Sequence, residues 1–386
     1  MAYVAVTGGQ EAIQQAEQLV KYYRSKESDA VLNIAMIEKQ LRLLVDRIMG
    51  EGGMYAPEYA AIALKQAEGD PAEAAFLVRA YRSTLPRNHY SLVSEPADMR
   101  VIRRISSSFR DMPGGQVLGP TNDYTHRMLN FNLKNETTED LQAFVEEYLT
   151  DLPWDESSMN FTKIADLLRD QHLMANVANS DDEEPYDITR QKLTFPCSRS
   201  ARLQTLSRGE TGAMTALAYS SMRGYGAVHP TIGELRVGYT PIHIPHPFGS
   251  EEDEDGIYIG EALMTEVESI NSFTQDKESG NVQFLLGYGL CFGQNELKAI
   301  SMSILERSLE TKGTSPAQNE EFVLTHIDSV ESGGFVSHLK LPHYVTFQTY
   351  LDQIRKTQAR KSKPASEEDT DDAANAEKTE VQYSGV

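Results

Sequence analysis

The sequence predicts an α+β protein with a helical N-terminal region at residues 1–95, a mixed body at 96–358 and an acidic tail at 359–386. Apolar residues near the N-terminus recur at the spacing of helices, whereas three later segments have the pattern of strands. Turns, not helices, separate these strands from one another. We therefore expect an antiparallel sheet accompanied by helices, and not a doubly wound parallel sheet.

The N-terminal region begins with a clear helical stripe. Its apolar residues, three or four positions apart, are Ile34, Ile37, Leu41, Leu44 and Ile48. Gly50, Gly52 and Gly53 are typical of a helix end. Asp70 followed by Pro71 indicates the start of a further helix, which we expect to reach about Ser83.

The body alternates between the two kinds of pattern. Residues 99–119 predict a strand and a turn, and short helices are expected at 138–150 and 160–175, before a surface loop at 181–185. Helix is predicted again at 199–222. Strands are then predicted at 234–244, 257–266 and 282–291, with an exposed acidic turn at 249–256, and helices at 294–310, 318–331 and 344–358.

Composition restricts the class of protein. The formal net charge of −21, from 36 basic and 57 acidic residues, disfavours binding to DNA or RNA along an extended surface. A local arginine cluster can still bind a small phosphorylated ligand. The sequence has no apolar run long enough for a membrane span, no signal-peptide pattern and only two cysteines, so we expect a cytoplasmic protein. The tail combines acidic residues with few large apolar side chains, which predicts disorder.

Glycines at 287, 289 and 293 follow an apolar run and precede a helix, as in a dinucleotide-binding loop. The segment after that helix contains no second strand with a terminal acidic residue, which a Rossmann unit requires. A tight joint between strand and helix is therefore the better interpretation of these glycines.

Several arginines stand beside serine, threonine and glycine, a context that suits phosphate or carboxylate recognition. Arg127 ends the segment GPTNDYTHR, and Arg199 and Arg202 lie in FPCSRSARLQ. The alternative is internal ion pairing with the abundant carboxylates, and the sequence leaves both open.

Carboxylates next to glycine form a further group of candidates, among them Glu234 and Glu266. Cleavage of a glycosidic bond develops positive charge on the sugar, which a carboxylate stabilises, and the leaving group needs an acid. For any single carboxylate a solvated or ion-paired role is the alternative.

His338 and His343 could form part of a metal site. A separation of five residues does not place both on one face of a helix, but a loop bent at Pro342 would let the imidazoles converge. Zinc takes four ligands, so such a site would need ligands from elsewhere.

Taken together, these segments resemble the I-subunit family of bacterial carbon–phosphorus lyase (PhnI). The resemblance rests on VAVTGGQEAI at 4–13, LGPTNDYTHR at 118–127, DITRQKLTFPCSRSARLQTLSRG at 187–209, ALAYSSMRGYGAVHP at 216–230, GYGLCFGQNELKAISM at 287–302 and NEEFVLTHIDSVESGGFVSHLKLPHYVTF at 319–347. It covers about residues 1–355 and is weaker at 132–185.

The resemblance implies a purine nucleoside triphosphate nucleosidase when the subunit is alone. With partner subunits G, H and L it implies synthesis of α-D-ribose 1-methylphosphonate 5-triphosphate from ATP and an alkylphosphonate, methylphosphonate, with release of adenine. It further implies a self-associating hetero-oligomeric core in which His338 and His343 bind Zn²⁺ at the boundary with the radical-SAM J subunit. Mg²⁺ is expected to accompany the nucleotide.

The candidate site residues combine both lines of reasoning. Candidate catalytic carboxylates are Asp123, Glu234 and Glu266, and candidate substrate-binding residues are Tyr124, His126, Arg127, Arg199 and Arg202. Two alternatives of other classes are a nucleosidase that works alone and a noncatalytic scaffold that completes a partner's zinc site.

Overall fold

A computed structural model describes residues 9–151, 161–175, 184–224, 230–249, 256–276 and 279–361. The described residues divide into two compact units, one within 9–334 and the other at 335–361. In the described part of the chain, no helix is both long and apolar enough to cross a membrane.

The N-terminal region is helical, as predicted. Its helices are α1 (Gln10–Ser25), α2 (Ile34–Gln40), α3 (Arg42–Gly52), α4 (Pro57–Gln66) and α5 (Pro71–Thr84). The predicted stripe at 34–48 is divided between α2 and α3, because Leu41 leaves the helical conformation with φ −110° and ψ 33°. Asp70 caps α5 by accepting hydrogen bonds from the amides of Ala72 and Glu73.

The sheet is antiparallel throughout, which confirms the α+β class. Its strands are β1 (Arg100–Ile105), β2 (Thr231–Ile244), β3 (Ile257–Gln275) and β4 (Val282–Phe292), in the order β1-β2-β3-β4. Strand β3 is longer than predicted and reaches nine residues past the expected end at 266.

The remaining helices accompany this sheet or follow it. They are α6 (Thr138–Asp151), α7 (Ile164–Asp170), α8 (Arg199–Arg208), α9 (Thr211–Met222), α10 (Glu296–Leu309), α11 (Glu320–His326), α12 (Ser329–His338) and α13 (Tyr344–Lys361). The single helices predicted at 199–222 and 318–331 are each two helices. New N-caps cause both breaks: Glu210 accepts from the first amides of α9, and Asp328 accepts from the amide of Val330.

Helix α10 packs closely on one face of β4. A Cβ atom at Gly287 or Gly289 would collide with the backbone of Ser303 or Ala299 on α10, so only glycine permits this approach. A core cluster around Leu206, Met302 and Leu305 then joins α10 to α8 and its neighbours.

Three predictions fall partly outside the described residues. The acidic turn at 249–256 lies mostly in the undescribed segment 250–255, and the loop at 181–185 lies partly in 176–183. Helix α13 continues to Lys361, so residues 359–361 of the predicted tail are helical, and the rest of that tail is outside the described residues.

Candidate functional site

A cavity of about 600 Å³ brings together segments that are far apart in the sequence. Its walls come from α3, the loop after β1, the first residue of α9 and the start of α10. The lining residues are Arg42, Leu43, Arg47, Pro120, Thr121, Asn122, Asp123, Arg127, Thr211, Gln294, Asn295, Glu296, Leu297 and Lys298. Two residues singled out from the sequence, Asp123 and Arg127, therefore meet at one concave site.

The loop that carries Asp123 is held by charged side chains. The fully buried guanidinium of Arg103 on β1 binds the Asp123 carboxylate and the carbonyl oxygen of Leu118, and its Nε lies 2.9 Å from Glu296 Oε1. Asp123 also accepts a hydrogen bond of 3.2 Å from Arg127. The Asp123 side chain nevertheless remains 43% exposed, so the carboxylate is fixed in position and still accessible.

The joint between β4 and α10 forms another wall and confirms the structural interpretation of the glycines. Gly293 adopts φ +75°, and a Cβ there would collide with Asp46 on α3. The amide of Gln294 donates to Asp46 Oδ2 over 3.0 Å, and the Asn295 side chain donates to the Asp46 carbonyl oxygen over 2.9 Å. These bonds fix the start of α10 against α3.

Cationic side chains predominate in the cavity lining. Arg42, Arg47, Arg127 and Lys298 stand against the carboxylates of Asp123 and Glu296. This excess is notable in a chain whose net charge is −21. The lining thus has the local charge that suits an anion, in contrast to the negative net charge of the whole chain.

Sequence reasoning missed Arg42, Arg47 and Lys298. Arg42 and Arg47 lie on α3 without a phosphate-binding motif around them, and Lys298 lies just after the glycines that the sequence indicated as a joint between strand and helix. The sequence does contain GQNELK after a predicted strand and two arginines on a distant helix. Only the tertiary packing shows that these two segments meet at one cavity.

The other two candidate carboxylates lie elsewhere, in a buried charged layer on the face of the sheet opposite α10. Glu234 accepts from Arg104 Nε at 2.5 Å and from the Ile164 amide at 2.8 Å. Glu266 accepts from Arg236 Nε at 3.0 Å and from Lys163 at 2.8 Å. Both are only 2% exposed and neither lines the cavity, which matches the ion-paired alternative.

Electrostatics in this layer shift the pKa values of Glu266 and Glu268 in opposite directions. Burial alone would raise the pKa of Glu266, but the charges of Arg236 and Lys163 outweigh it and lower the pKa. The pKa of neighbouring Glu268 is raised by burial and by the charge of Glu266, against the opposing effect of Lys163. The Tyr288 hydroxyl donates to Glu266 over 3.1 Å. Burial raises the pKa of this hydroxyl well above the ordinary value for tyrosine.

Arg199 and Arg202 make ion pairs with the body of the protein. Arg199 Nε lies 2.9 Å from Glu306, whose carboxylate is buried. Arg202 lies 3.2 Å from Glu310 and 3.3 Å from Glu320. Neither arginine lines the cavity, so the internal ion pair that the sequence left open is the arrangement observed, and phosphate binding by these two residues stays a prediction.

Tyr124 and His126 lie in the same loop as Asp123. Tyr124 is 74% exposed and His126 is also exposed, and neither is part of the cavity lining. Contact with a ligand in the cavity would require these side chains to turn inward, and their assignment to substrate binding stays a prediction.

His338 and His343 converge, although not in the way the sequence suggested. His338 is the last residue of α12, so the expectation that it lies in a loop is wrong. The chain then turns before Pro342, and the two ring centroids lie 5.4 Å apart.

The ring nitrogens of this pair have defined roles. Nδ1 of His338 bonds to the carbonyl oxygen of Phe335, and Nδ1 of His343 bonds to that of Leu341 over 2.6 Å. Since a carbonyl oxygen cannot donate, Nδ1 is the donor in each bond, and Nε2 is the ring nitrogen that would bind a metal when the imidazole is neutral. Within the described ranges, no group of three or more His, Cys, Asp or Glu side chains is placed to hold a metal ion.

Comparison with known proteins gives one family. Residues 2–361 match the family described as bacterial phosphonate metabolism protein (PhnI). The matched range contains every segment that lines the cavity and both converging histidines.

Curated relatives are similar over nearly their whole length. Subunit PhnI of alpha-D-ribose 1-methylphosphonate 5-triphosphate synthase from Escherichia coli (strain K12) is 47% identical over 92% of this chain and 98% of its own. The subunit of the same name from Rhizobium meliloti (strain 1021) is 41% identical over 92% of this chain and 94% of its own. HtxH of Stutzerimonas stutzeri is 48% identical over 95% of this chain and 99% of its own.

Proposed function

Because the chain belongs to the PhnI family and acts in phosphonate metabolism, we propose that it displaces the purine base of ATP with methylphosphonate. The product is α-D-ribose 1-methylphosphonate 5-triphosphate, the compound for which two of the relatives are named. We further propose that the isolated chain, with water in place of the phosphonate, acts as a nucleoside triphosphate nucleosidase.

The observation that supports this proposal is the cavity of about 600 Å³ that combines an excess of cations with an accessible carboxylate. ATP and methylphosphonate are both anions, so a site that holds them together needs several cations. Bringing the two reactants into one cavity replaces a bimolecular encounter with a positioned reaction.

Asp123 is the carboxylate suited to the chemistry. The bond between the anomeric carbon and the base nitrogen breaks, and a bond from that carbon to a phosphonate oxygen forms. The base leaves with its electron pair and takes up a proton, which releases adenine. Positive charge develops on the ribose during this exchange, and Asp123, held by Arg103 and Arg127, would stabilise that charge. The nucleotide brings Mg²⁺ with it, bound to its phosphates.

Partner subunits are part of the proposal because water competes with phosphonate in an open site. We propose subunits G, H, J and L of the carbon–phosphorus lyase as these partners, together with a second copy of this chain. Exposed apolar side chains support extensive contacts. Helices α1 and α13 have no buried residue, and α6 exposes Leu141, Phe144 and Tyr148.

A second role, zinc binding at the boundary with the radical-SAM J subunit, is supported by the converging histidines. Nε2 of His338 and Nε2 of His343 would be the ligands of this chain, because each Nδ1 is already bonded to a carbonyl oxygen. Bound Zn²⁺ would supply either a structural link or Lewis-acid chemistry. Two ligands are too few for a closed tetrahedral site, so the remainder would come from the partner or from a ligand.

Base release tests the proposal. The purified full-length chain is incubated with ATP and Mg²⁺, and adenine is measured by chromatography. We expect adenine release without partners, and transfer of methylphosphonate only when G, H and L are added. If the folded chain releases no base, the proposed enzymatic activity is refuted and a noncatalytic scaffold is the remaining function. Phosphonate transfer by the chain alone would indicate an enzyme that works without the complex.

A further inference from the structure

We propose that the N-terminus of α10, together with Arg42 and Lys298, forms the subsite that binds the triphosphate group. Binding of a polyphosphate anion follows from the structure by itself. Its identification with the triphosphate of the nucleotide rests on the function proposed above.

The first amides of α10 lack the usual side-chain cap. Asn295 occupies the N-cap position, but its side chain donates to the carbonyl oxygens of Asp46 and Phe292, at 2.9 and 2.6 Å, and accepts no bond from α10. Helix α9, whose first residue also lines the cavity, differs because Glu210 accepts from its amides. The α10 terminus therefore presents the positive end of a 14-residue helix to the cavity.

Lys298 lies in the first turn of the same helix and lines the cavity. It is fully buried, and within the described residues its Nζ has no hydrogen-bond partner. A buried ammonium without a partner is costly to a folded protein. The charge of the buried Glu51 acts on Lys298 without a hydrogen bond to Nζ, and an anion at the α10 terminus would add further negative charge.

Arg42 is the second cation of the subsite, and the charge of Asp46, one turn along α3, acts on it from within the protein. Its guanidinium donates to the neutral amide oxygen of Gln294 over 2.6 Å, and it forms no salt bridge in the part of the chain that the structure describes. The other cations of the cavity are already paired, Arg47 with Glu51 at 2.9 Å and Arg127 with Asp123 at 3.2 Å.

The acidic residue at this terminus does not block an anion. Glu296, the first residue of α10, lies 2.9 Å from the buried guanidinium of Arg103, which offsets its charge. The uncapped amides and the exposed Arg42 thus remain as the positive groups that a ligand can contact, and Lys298 adds a buried positive charge in the same helical turn. A triphosphate, with several charged oxygens in a row, is the class of anion that can contact the amides and Arg42 at once while its charge offsets that of Lys298.

Inorganic triphosphate is the probe that separates this subsite from the reaction, because its binding involves no base release. Its dissociation constant is measured by titration calorimetry with the full-length chain and with the variants Arg42→Gln and Lys298→Met. Loss of a charge-assisted contact should weaken triphosphate binding about tenfold to hundredfold in each variant. Adenosine binding should not change.

Arg110→Gln is the matched control, since Arg110 is a surface arginine with a side chain that is 91% exposed, and it should bind triphosphate like the unaltered chain. Arg42 is itself exposed, so Arg42→Gln decides the matter even if Lys298→Met does not fold. Weakened triphosphate binding in a chain that releases no adenine would support the subsite and refute the proposed reaction. Adenine release with unchanged triphosphate affinity in both variants would overturn the subsite alone.

Discussion

Arg42 Nη1 donates to Gln294 Oε1 over 2.6 Å, although 252 residues separate the two in the chain. This bond crosses from the N-terminal helices to the start of α10, next to the bonds between Asp46 and the residues at 294–295. The cavity therefore exists only because the helical region packs against the sheet and its helix. The boundary predicted at residue 95 separates two patterns of sequence, and residues on both sides of it line the same site.

The close contact of β4 with α10 predicts that Gly289 tolerates no side chain. Gly289→Ala would force a Cβ into the backbone of Ala299, and we expect a loss of about 1–3 kcal/mol in the free energy of unfolding. Gly333→Ala is the control: nothing lies within 4 Å of a Cβ there, and alanine should stabilise α12 by up to about 1 kcal/mol. Urea denaturation measures both, and an unaffected Gly289→Ala would refute the packing described for α10.

The buried ammonium of Lys298 should lower the free energy of unfolding of the chain without a ligand. We expect Lys298→Met to increase the free energy of unfolding by about 1–4 kcal/mol at neutral pH, because methionine fills the same space without a buried charge. The exposed Lys312→Met should have little effect. A destabilised Lys298→Met variant would mean that the ammonium is satisfied in the folded chain.

The same substitution predicts a pH dependence of known sign. Burial lowers the pKa of Lys298 in the folded chain. The cost of the buried ammonium is therefore fully present below the folded pKa and disappears as the pH rises toward the unfolded value of about 10.4. The advantage of Lys298→Met over the unaltered chain should shrink between neutral and alkaline pH. A constant difference across that range would contradict the assignment.

The sequence predicted the fold better than the site. Strand alternation and helical stripes depend on neighbours a few residues away, so the sheet and most helices were predicted, and the breaks at Leu41, Glu210 and Asp328 were not. Asp123 and Arg127 could be found because they share a compact motif. Arg42 and Lys298 could not, since their importance arises from the packing of α3 against α10.

Arg202 tests the distinction between an ion pair and a phosphate contact. Its guanidinium lies between Glu310 and Glu320, so Arg202→Ala should lower the free energy of unfolding by about 1–3 kcal/mol. If the ion pairs are the whole role of Arg202, as a triphosphate subsite at α10 implies, KM for ATP and for adenosine should change equally. A selective increase in KM for ATP would instead indicate that Arg202 contacts phosphate.

The histidine pair predicts a metal site that is completed by assembly. His338→Ala and His343→Ala should each remove most of the zinc from the assembled complex, as measured by elemental analysis. The reason is that Nδ1 of each ring bonds to a carbonyl oxygen, so Nε2 is the nitrogen that would bind the metal. Base release by the isolated chain should continue, since the cavity lining contains neither histidine. His326→Ala, whose Nδ1 also bonds to a carbonyl oxygen, is the control and should keep the zinc. Undiminished zinc in both variants would refute the ligand assignment.

The central claim is that the cavity containing Asp123 is where the nucleotide loses its base, and adenine release by Asp123→Asn tests it most directly. The variant keeps the size of the side chain but removes the charge that would stabilise the cationic ribose. Asp111→Asn, at a surface carboxylate paired with Arg110, is the matched control, and melting temperatures confirm that both variants are folded. We predict that Asp123→Asn releases adenine from ATP at least about 100-fold more slowly than the unaltered chain, with Asp111→Asn unchanged. Adenine release by folded Asp123→Asn at the rate of the unaltered chain would contradict the claim.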